Sequence, residues 1–443
     1  MPEANSERER LAQATRAIAR QLFLHSLGQA SIEKAFDQNV HCERGVLRVC
    51  DDLFDLHSYA RVQVISIGKA GHTMVEALRG KIGESLEGIV SSSVEPVSQG
   101  RGFRYFRGGH PTPNSESMRS ADAILKSLAA QNAASLVIFL LSGGGSSMVE
   151  RPIDEEISLD DLIATYRTLV HSGAPIAEIN AIRKHISAVK GGRLALTASP
   201  AQQVSLLVSD VPDATLDALA SGPTMPDSTT VDDCYAIAEK YGMLEQFPAS
   251  VRELFQRHAL EETPKSEDPA FHRSRWWPIL SNAAVVKIAA EEARRLGFGV
   301  EIENGCDDWD YRDARDYLLE QIRELRKRYA RACLISGGEV TVKVKDGGVG
   351  GRNQQLVLAF AEKIAGENIA VLSGGTDGID GNSPATGAIA DGTTLQRATQ
   401  QGLSVASALA GFDAYLFFNA LGDAIVTGPT GNNVRDLRIL LAY

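Results

Sequence analysis

Cysteine is scarce in this sequence, and its five copies are scattered along the chain: Cys42, Cys50, Cys234, Cys306 and Cys333. They form no C-x-x-C pair and show no zinc-ligand spacing. These absences exclude a zinc ribbon and a disulfide scaffold, and they favour free thiols in a reducing compartment. We therefore expect a cytoplasmic protein.

Long hydrophobic runs are also absent. The longest apolar stretch covers residues 136–141, which is far too short to span a bilayer, and the polar residues 1–10 show no secretory signal. The chain carries 45 Lys and Arg against 56 Asp and Glu, a formal net charge of −11. Such acidity argues against nucleic acid or an anionic membrane as the main partner. Small-molecule substrates are expected instead, and a homo-oligomer is left open.

Two common nucleotide-binding signatures are missing as well. No segment matches the Walker A motif G-x-x-x-x-G-K-[ST], and none matches the G-x-G-x-x-G dinucleotide fingerprint with an acidic residue about 20 positions later. The sequence therefore excludes a P-loop nucleotide site and argues against a dinucleotide-dependent dehydrogenase.

What the sequence does contain is a repeated order of apolar strand, glycine-bearing loop and helix. The predicted strands cover residues 62–67, 136–141, 204–208, 332–335 and 369–372. Strands that are apolar on both faces are typical of a parallel sheet covered by helices, so the predicted fold class is α/β. Before them, residues 7–57 have the pattern of amphipathic helices, and near the C-terminus residues 415–418 and 424–427 alternate around a glycine turn.

The chain length of 443 residues suits two α/β domains. The polar, proline-bearing stretch 260–278 is the predicted boundary. We therefore predict an N-terminal domain over residues 1–260 and a C-terminal domain over residues 279–443.

Glycine-rich loops after the predicted strands are the first candidates for a ligand site, because ligands of open α/β sheets bind outside the carboxyl ends of the strands. Glycine lets the backbone approach a phosphate closely, and serine hydroxyls can bind an oxyanion. The predicted nucleotide contacts are Ser142, Gly143, Gly144, Gly145, Ser146, Ser147, Gly374 and Gly375. The alternative, that these glycines only turn the chain, remains open.

Two basic residues stand at similar positions. Lys69 directly follows the strand 62–67, where a lysine directs a compact positive charge at a carboxylate or a phosphoryl group. Arg352 closes the glycine-rich loop 347–351 and begins a predicted helix, and its planar fork suits a phosphate or the charge of a transition state. A solvated surface role is the alternative for both.

Two aspartates are candidate magnesium ligands. Asp210 follows the strand 204–208 and is also a candidate catalytic base, and Asp377 lies in a Thr-Asp-Gly loop. Asp380, which precedes Gly381, is predicted to form an ordinary turn. His110 is either a substrate contact or a turn residue, and the basic segment 180–185 is interpreted as a solvated face.

Together these segments resemble the class II glycerate kinases, the glycerate 2-kinase family whose C-terminal region is called MOFRL. The motifs that carry the resemblance are Ile67-Gly68-Lys69-Ala70, Gly109-His110-Pro111-Thr112-Pro113, Ser142-Gly143-Gly144-Gly145-Ser146-Ser147, Asn180-Ala181-Ile182-Arg183-Lys184-His185, Ser209-Asp210-Val211, Ser336-Gly337-Gly338-Glu339, Gly351-Arg352-Asn353-Gln354 and Gly375-Thr376-Asp377-Gly378. They follow one another in the family's order over almost the whole chain.

The resemblance implies an N-terminal Rossmann-like parallel sheet domain, a C-terminal α/β MOFRL domain and a cleft between them. It also implies transfer of a phosphoryl group from ATP to D-glycerate, with Mg²⁺, to give 2-phosphoglycerate. Lys69 and Arg352 match the lysine and arginine that look essential in such kinases. An NAD(P)-dependent hydroxypyruvate reductase and a non-catalytic nucleotide-binding sensor remain as alternatives.

Overall fold

The structure is a computed structural model that describes residues 2–96, 98–344 and 347–443, without the side chains of residues 2–6 and 213. The chain divides into two units. We call Ile32–Ile279 the N-terminal unit, and Met1–Ser31 together with Leu280–Tyr443 the C-terminal unit. The division after residue 279 lies beside the predicted domain start. The first helix, however, belongs to the C-terminal unit, and the stretch 260–278 is part of the N-terminal unit because it leads into an edge strand of its sheet.

Helices and strands alternate along most of the chain. The helices are α1 (Pro2–Gln29), α2 (Ile32–Asn39), α3 (Gly71–Ile82), α4 (Ser115–Ala129), α5 (Gly145–Met148), α6 (Leu159–His171), α7 (Ile176–His185), α8 (Arg193–Ala198), α9 (Val231–Lys240), α10 (Ala249–Gln256), α11 (Asn282–Arg295), α12 (Tyr311–Arg328), α13 (Arg352–Lys363), α14 (Thr394–Gln400), α15 (Val405–Gly411) and α16 (Ala414–Leu421). The strands are β1 (Val40–Glu43), β2 (Val46–Val49), β3 (Asp52–Asp55), β4 (Arg61–Ile67), β5 (Glu87–Ser92), β6 (Phe103–Arg107), β7 (Ser135–Ser142), β8 (Gln202–Val208), β9 (Ser274–Leu280), β10 (Gly299–Ile302), β11 (Ala332–Gly337), β12 (Ile369–Gly375), β13 (Gly387–Asp391), β14 (Ala424–Ile425) and β15 (Asp436–Ala442).

The large sheet of the N-terminal unit has the strand order β6-β5-β4-β7-β8-β9. The pairs β6/β5, β5/β4, β4/β7 and β7/β8 are all parallel. In order of appearance this is the 3-2-1-4-5-6 order of a Rossmann sheet, whose ligands bind where the order reverses. That reversal lies between β4 and β7. The two loops predicted to hold Lys69 and the serine–glycine motif are therefore neighbours at one edge of the sheet.

Burial explains why the central strands form a parallel sheet. Every residue of β7 is buried, and so are the last five residues of β4. A strand buried on both faces needs cover on both faces, which helices provide. Helix α4 begins with a capping box, in which the Asn114 side chain accepts from Ser117 N–H.

The sheet of the C-terminal unit is mixed, with the order β10-β11-β15-β12-β13-β14. Strands β10 and β11 are parallel, but the last strand of the chain, β15, runs antiparallel between β11 and β12. All seven residues of β15 are buried, so the C-terminus forms the centre of this sheet. The prediction of an α/β unit is confirmed, although most of its strand pairs are antiparallel.

Two local predictions are wrong. Residues 40–55 form the antiparallel sheet β1-β2-β3 rather than helices, since Val40, Leu47, Val49 and Phe54 are the buried positions of three short strands. Residues 415–418 lie in α16, in which Ala414, Phe417 and Phe418 are buried. Their i, i+3, i+4 spacing is helical, and it outweighs the alternating pattern of the four residues 415–418. Among the described residues, no helix has the length and apolar character to cross a membrane.

Candidate functional site

The loop between β4 and α3 presents Lys69. Gly68 has φ +125°, and a Cβ there would lie 2.2 Å from Ser142 Oγ, so only glycine fits this crossing of two strand ends. The Lys69 N–H donates to the Gly143 carbonyl (3.0 Å), and the Ala70 N–H donates to Ser142 Oγ (3.1 Å). Ser142 is buried and fixes this loop to β7. The Lys69 side chain is exposed at the strand end.

The loop after β7 brings a carboxylate against a glycine. A Cβ on Gly143 would lie 2.0 Å from Asp210 Oδ2, so the absence of a side chain makes room for the Asp210 carboxylate. Gly144 has φ +79° and caps the short helix α5, whose Ser146 hydroxyl shares a hydrogen bond of 2.8 Å with Ser221 Oγ. We call Lys69, Gly143–Ser147 and Asp210 the strand-edge site. The structure brings these predicted residues together.

His110 joins this site through Ser147. Its Nδ1 lies 3.4 Å from Ser147 Oγ. Burial lowers the pKa of His110 below its ordinary value, and the positive charge of Lys69 lowers it further. A neutral imidazole at pH 7 is the consequence. Of the two roles left open for His110, contact with the site is the one that this geometry favours.

A cavity of about 420 Å³ adjoins the strand-edge site, and we call it the basic cavity. Gly144, Ser146 and Ser147 form part of its wall. Its charged or titratable lining residues, apart from Tyr166, are His110, Arg167, His171 and Arg183, with no Asp or Glu among the described residues that line it. In a chain with a net charge of −11, such a wall favours an anionic ligand.

The charge pattern predicts a solvated face for the segment 180–185, and this prediction is wrong. Lys184 and His185 are buried. The Lys184 ammonium donates to Asp227 (3.1 Å) and to Asp217 (2.8 Å), and His185 Nε2 lies 2.9 Å from Glu262. These partners are 33 to 77 residues away in sequence, so helical periodicity alone could not reveal them. They hold the last turn of α7 in place.

In the C-terminal unit, Arg352 begins α13 as predicted. Its Nε and Nη2 donate to the two carboxylate oxygens of Asp436 (2.6 and 2.9 Å), and Nη2 lies 2.7 Å from Glu339 Oε1. Burial alone would lower the pKa of Arg352, but the hydrogen bonds and charge of Asp436 raise it above its ordinary value. The arginine is therefore held charged at the wall of a 660 Å³ cavity.

Asp380 does more than form a turn. Its carboxylate accepts hydrogen bonds from the backbone and side-chain nitrogens of Asn353 and Gln354, at 2.9 to 3.2 Å, and so caps the start of α13. Burial raises the pKa of Asp380 to about 6. Asp377 lines the same cavity as Arg352, and burial raises the pKa of its carboxyl group too.

Gly374 and Gly375, predicted as nucleotide contacts, are buried residues of β12. A Cβ on Gly374 would lie 2.6 Å from the ring of Phe23, so this glycine makes room for α1. Their role in binding a nucleotide stays a prediction. So does the meeting of Arg352 and Asp377 with Lys69, because these residues belong to different units. Among the described residues, no group of three or more His, Cys, Asp or Glu is arranged to hold a metal ion.

Two family profiles match the chain. The family described as "Domain of unknown function (DUF4147)" matches residues 18–256, and the MOFRL family matches residues 332–436. A Thermotoga maritima protein named D-glycerate 2-kinase is 36% identical over 398 residues, which cover 86% of this chain and 90% of that protein. An Agrobacterium vitis relative with the provisional name hydroxypyruvate reductase is 34% identical and covers 86% of this chain and 87% of its own.

The solved structures include a crystal structure of a glycerate kinase from Thermotoga maritima. It superposes with a TM-score of 0.85 at 33% sequence identity and covers 97% of this chain and 100% of its own. Similarity in sequence and in fold therefore extends over both units.

Proposed function

Because the chain belongs to the class II glycerate kinase family, we propose that it transfers the γ-phosphoryl group of ATP to a hydroxyl of D-glycerate, giving 2-phosphoglycerate and ADP. The observation that carries this proposal is the strand-edge site. There a lysine, a serine–glycine loop and an aspartate meet at the switch point of a Rossmann sheet.

Phosphoryl transfer depends mainly on positioning and on compensation of negative charge. Lys69 supplies an exposed cation at the strand end, beside a loop whose backbone and Ser146 hydroxyl suit phosphate oxygens. Asp210 is the carboxylate placed to accept the proton of the attacking hydroxyl or to hold a metal ion. The position of each side chain at the edge of the sheet supports the role proposed for it.

Arg352 is the proposed second cation, which offsets charge on the transferring phosphoryl group. Asp436 and Glu339 occupy its Nε and Nη2, while no hydrogen bond from Nη1 is found among the described residues. An arginine has five N–H donors, so it can hold this ion pair and still contact an anion. Asp436 thus orients the guanidinium without exhausting its donors.

The acidic residues fit Mg²⁺, which prefers one or two carboxylates together with phosphate oxygens and water. Asp210 or Asp377 is the carboxylate that would hold it, and both side chains are only partly buried. When bound, the ion would offset phosphate charge.

A coupled assay of ADP release tests the proposal. Purified protein, ATP and MgCl₂ should release ADP only when D-glycerate is present, and ³¹P NMR should show the product's phosphorus coupled to the proton on C2. Lys69→Met and Arg352→Met should each lower kcat/KM on the order of 10³-fold. ADP release that does not depend on D-glycerate would contradict the proposal.

The provisional name of the Agrobacterium vitis relative gives a second candidate, an NAD(P)H-dependent hydroxypyruvate reductase. The chain lacks the dinucleotide fingerprint that such an enzyme needs. Loss of absorbance at the NADH band in the presence of hydroxypyruvate would favour this reductase. A protein that binds ATP but shows neither activity would be the non-catalytic sensor.

A further inference from the structure

Among the residues that the structure describes, Arg183 has no anionic partner. Its guanidinium lies over the ring of Tyr166, with the central carbon 4.7 Å from the ring centroid. The Nε is buried and has no hydrogen-bond partner, and no ion pair to Arg183 is found in the part of the chain that the structure describes. A half-buried guanidinium whose charge is not compensated by the protein is a ready site for an anion.

The nearby buried carboxylate cannot serve as that anion, because other groups already satisfy it. Glu150 is fully buried and is ion-paired with Lys190. It also accepts hydrogen bonds from the hydroxyls of Tyr166 and Ser187. Glu150 therefore fixes Tyr166, which in turn supports Arg183 from one side.

The helix that carries Arg183 is equally fixed. The next two residues, Lys184 and His185, are buried and bound to Asp217, Asp227 and Glu262. Their anchoring sets the orientation of the last turn of α7, and Arg183 lines the basic cavity. The guanidinium is thus preorganised, which reduces the entropy lost when a ligand binds.

We infer that Arg183 holds the carboxylate of the acceptor in the basic cavity, so that the acceptor is a small hydroxy acid whose hydroxyl faces Ser146, Ser147 and the strand-edge site. This inference rests on the proposed function and refines it, since Lys69 is then left for the transferred phosphoryl group. The cavity volume of about 420 Å³ lies in the range of small-molecule sites. Its wall supplies a cation and hydroxyl groups without an opposing Asp or Glu among the described residues.

Binding of D-glycerate to the 443-residue chain, measured by isothermal titration calorimetry with and without a non-hydrolysable ATP analogue, tests the inference. Arg183→Met should raise the Kd for D-glycerate by at least about 30-fold, and Arg183→Lys should give an intermediate loss because the charge remains but the planar fork does not. The KM for ATP should stay within about 3-fold of wild type. Arg119→Met is the matched control, since Arg119 is an exposed arginine of α4 outside both sites.

A second readout separates charge recognition from a general loss of structure. Wild type should bind D-glycerate much more tightly than glycerol, which lacks the carboxylate, and Arg183→Met should remove this preference while its circular dichroism spectrum stays unchanged. If wild type phosphorylates D-glycerate but Arg183→Met binds it as tightly as wild type does, the inference is overturned and the proposed function stands. If wild type binds none of D-glycerate, D-lactate and tartronate, both are overturned.

Discussion

His110 and Lys69 offer a test of the strand-edge site at the level of single residues. Burial, and then the charge of Lys69, lower the pKa of His110 below 6.5. In Lys69→Met the repulsion is gone, so the pKa should rise, but it should stay below 6.5 because burial remains. NMR titration of the imidazole resonances measures the change, with the other histidines as internal references. An unchanged His110 pKa would show that the two side chains do not interact.

Arg352 has a structural role that must be separated from its proposed catalytic one. Its partner Asp436 has a side chain that is only 1% exposed. In Arg352→Met this carboxylate is left buried without its cation, so the C-terminal unit should lose about 3–5 kcal/mol of unfolding free energy. Urea denaturation measures this loss.

The double variant Arg352→Met/Asp436→Asn distinguishes the two roles. The Asp436→Asn change removes the buried carboxylate that has lost its cation, so much of the unfolding free energy should be restored. The kinase rate should stay low, because the cation of Arg352 is still absent. Recovery of the rate together with the stability would contradict a catalytic role for Arg352. If the unfolding free energy did not recover, the unpaired Asp436 carboxylate would not be the cause of the stability lost in Arg352→Met.

At the scale of elements, the contact between the β7 and β8 ends depends on one glycine. A Cβ on Gly143 would lie 2.0 Å from Asp210 Oδ2, so Gly143→Ala should displace the Asp210 carboxylate and strain the Lys69 loop. We expect a loss of about 1–3 kcal/mol in unfolding free energy and a fall in kcat. Chemical denaturation and the ADP assay measure the two effects.

Gly80→Ala is the matched control for that variant. Gly80 lies inside α3, and a Cβ there would meet nothing within 4 Å. This substitution should stabilise the N-terminal unit by about 0.5–1 kcal/mol, since alanine is the better helix former. If both variants behaved alike, close packing between Gly143 and Asp210 would not be the cause of the Gly143→Ala defect.

The sequence predicted the elements that burial on both faces defines. The strands at 62–67, 136–141 and 204–208 are confirmed as parts of β4, β7 and β8, because short, mostly apolar segments that end at glycine or serine are typical of buried strands. Four-residue strands such as β1 and β2 leave too short a pattern to distinguish from a helix. The sequence therefore indicated the sheet of the N-terminal unit better than the small β1-β2-β3 sheet.

The strand-edge site was predictable for the same reason. Lys69 and Asp210 directly follow buried strands, and parallel strands end at the same edge. The sequence did not reveal the place of Arg183 at the basic cavity or the helix-capping contacts of Asp380, because both depend on partners that are distant in sequence. Asp380 caps a helix that starts 28 residues earlier, and α7 is anchored by residues up to 77 positions away. No local pattern encodes such contacts.

At the scale of the whole molecule, the first helix belongs with the last strands of the chain. Phe23 in α1 is fully buried, and its ring fills the space beside Gly374 on β12. Phe23→Ala should therefore lower the unfolding free energy of the C-terminal unit by about 3–5 kcal/mol. Leu24→Ala is the neighbouring control, since Leu24 is 45% exposed and its truncation should cost less than about 0.5 kcal/mol.

The packing of α1 against β12 determines which fragments of the chain can fold alone. A fragment of residues 32–279 contains all six strands of the Rossmann sheet except Leu280, the last residue of β9, and should fold. Residues 280–443, in contrast, lack the helix that covers β12. They also lack Arg16, the ion-pair partner of the buried Asp391. Joining residues 1–31 to residues 280–443 through a flexible Gly/Ser linker should restore a cooperative thermal transition, as circular dichroism and proton NMR can measure. If a fragment of residues 280–443 unfolded as cooperatively as the fusion, α1 would not be needed for folding of the C-terminal unit. The buried Phe23 and the Arg16–Asp391 ion pair lead us to expect the opposite.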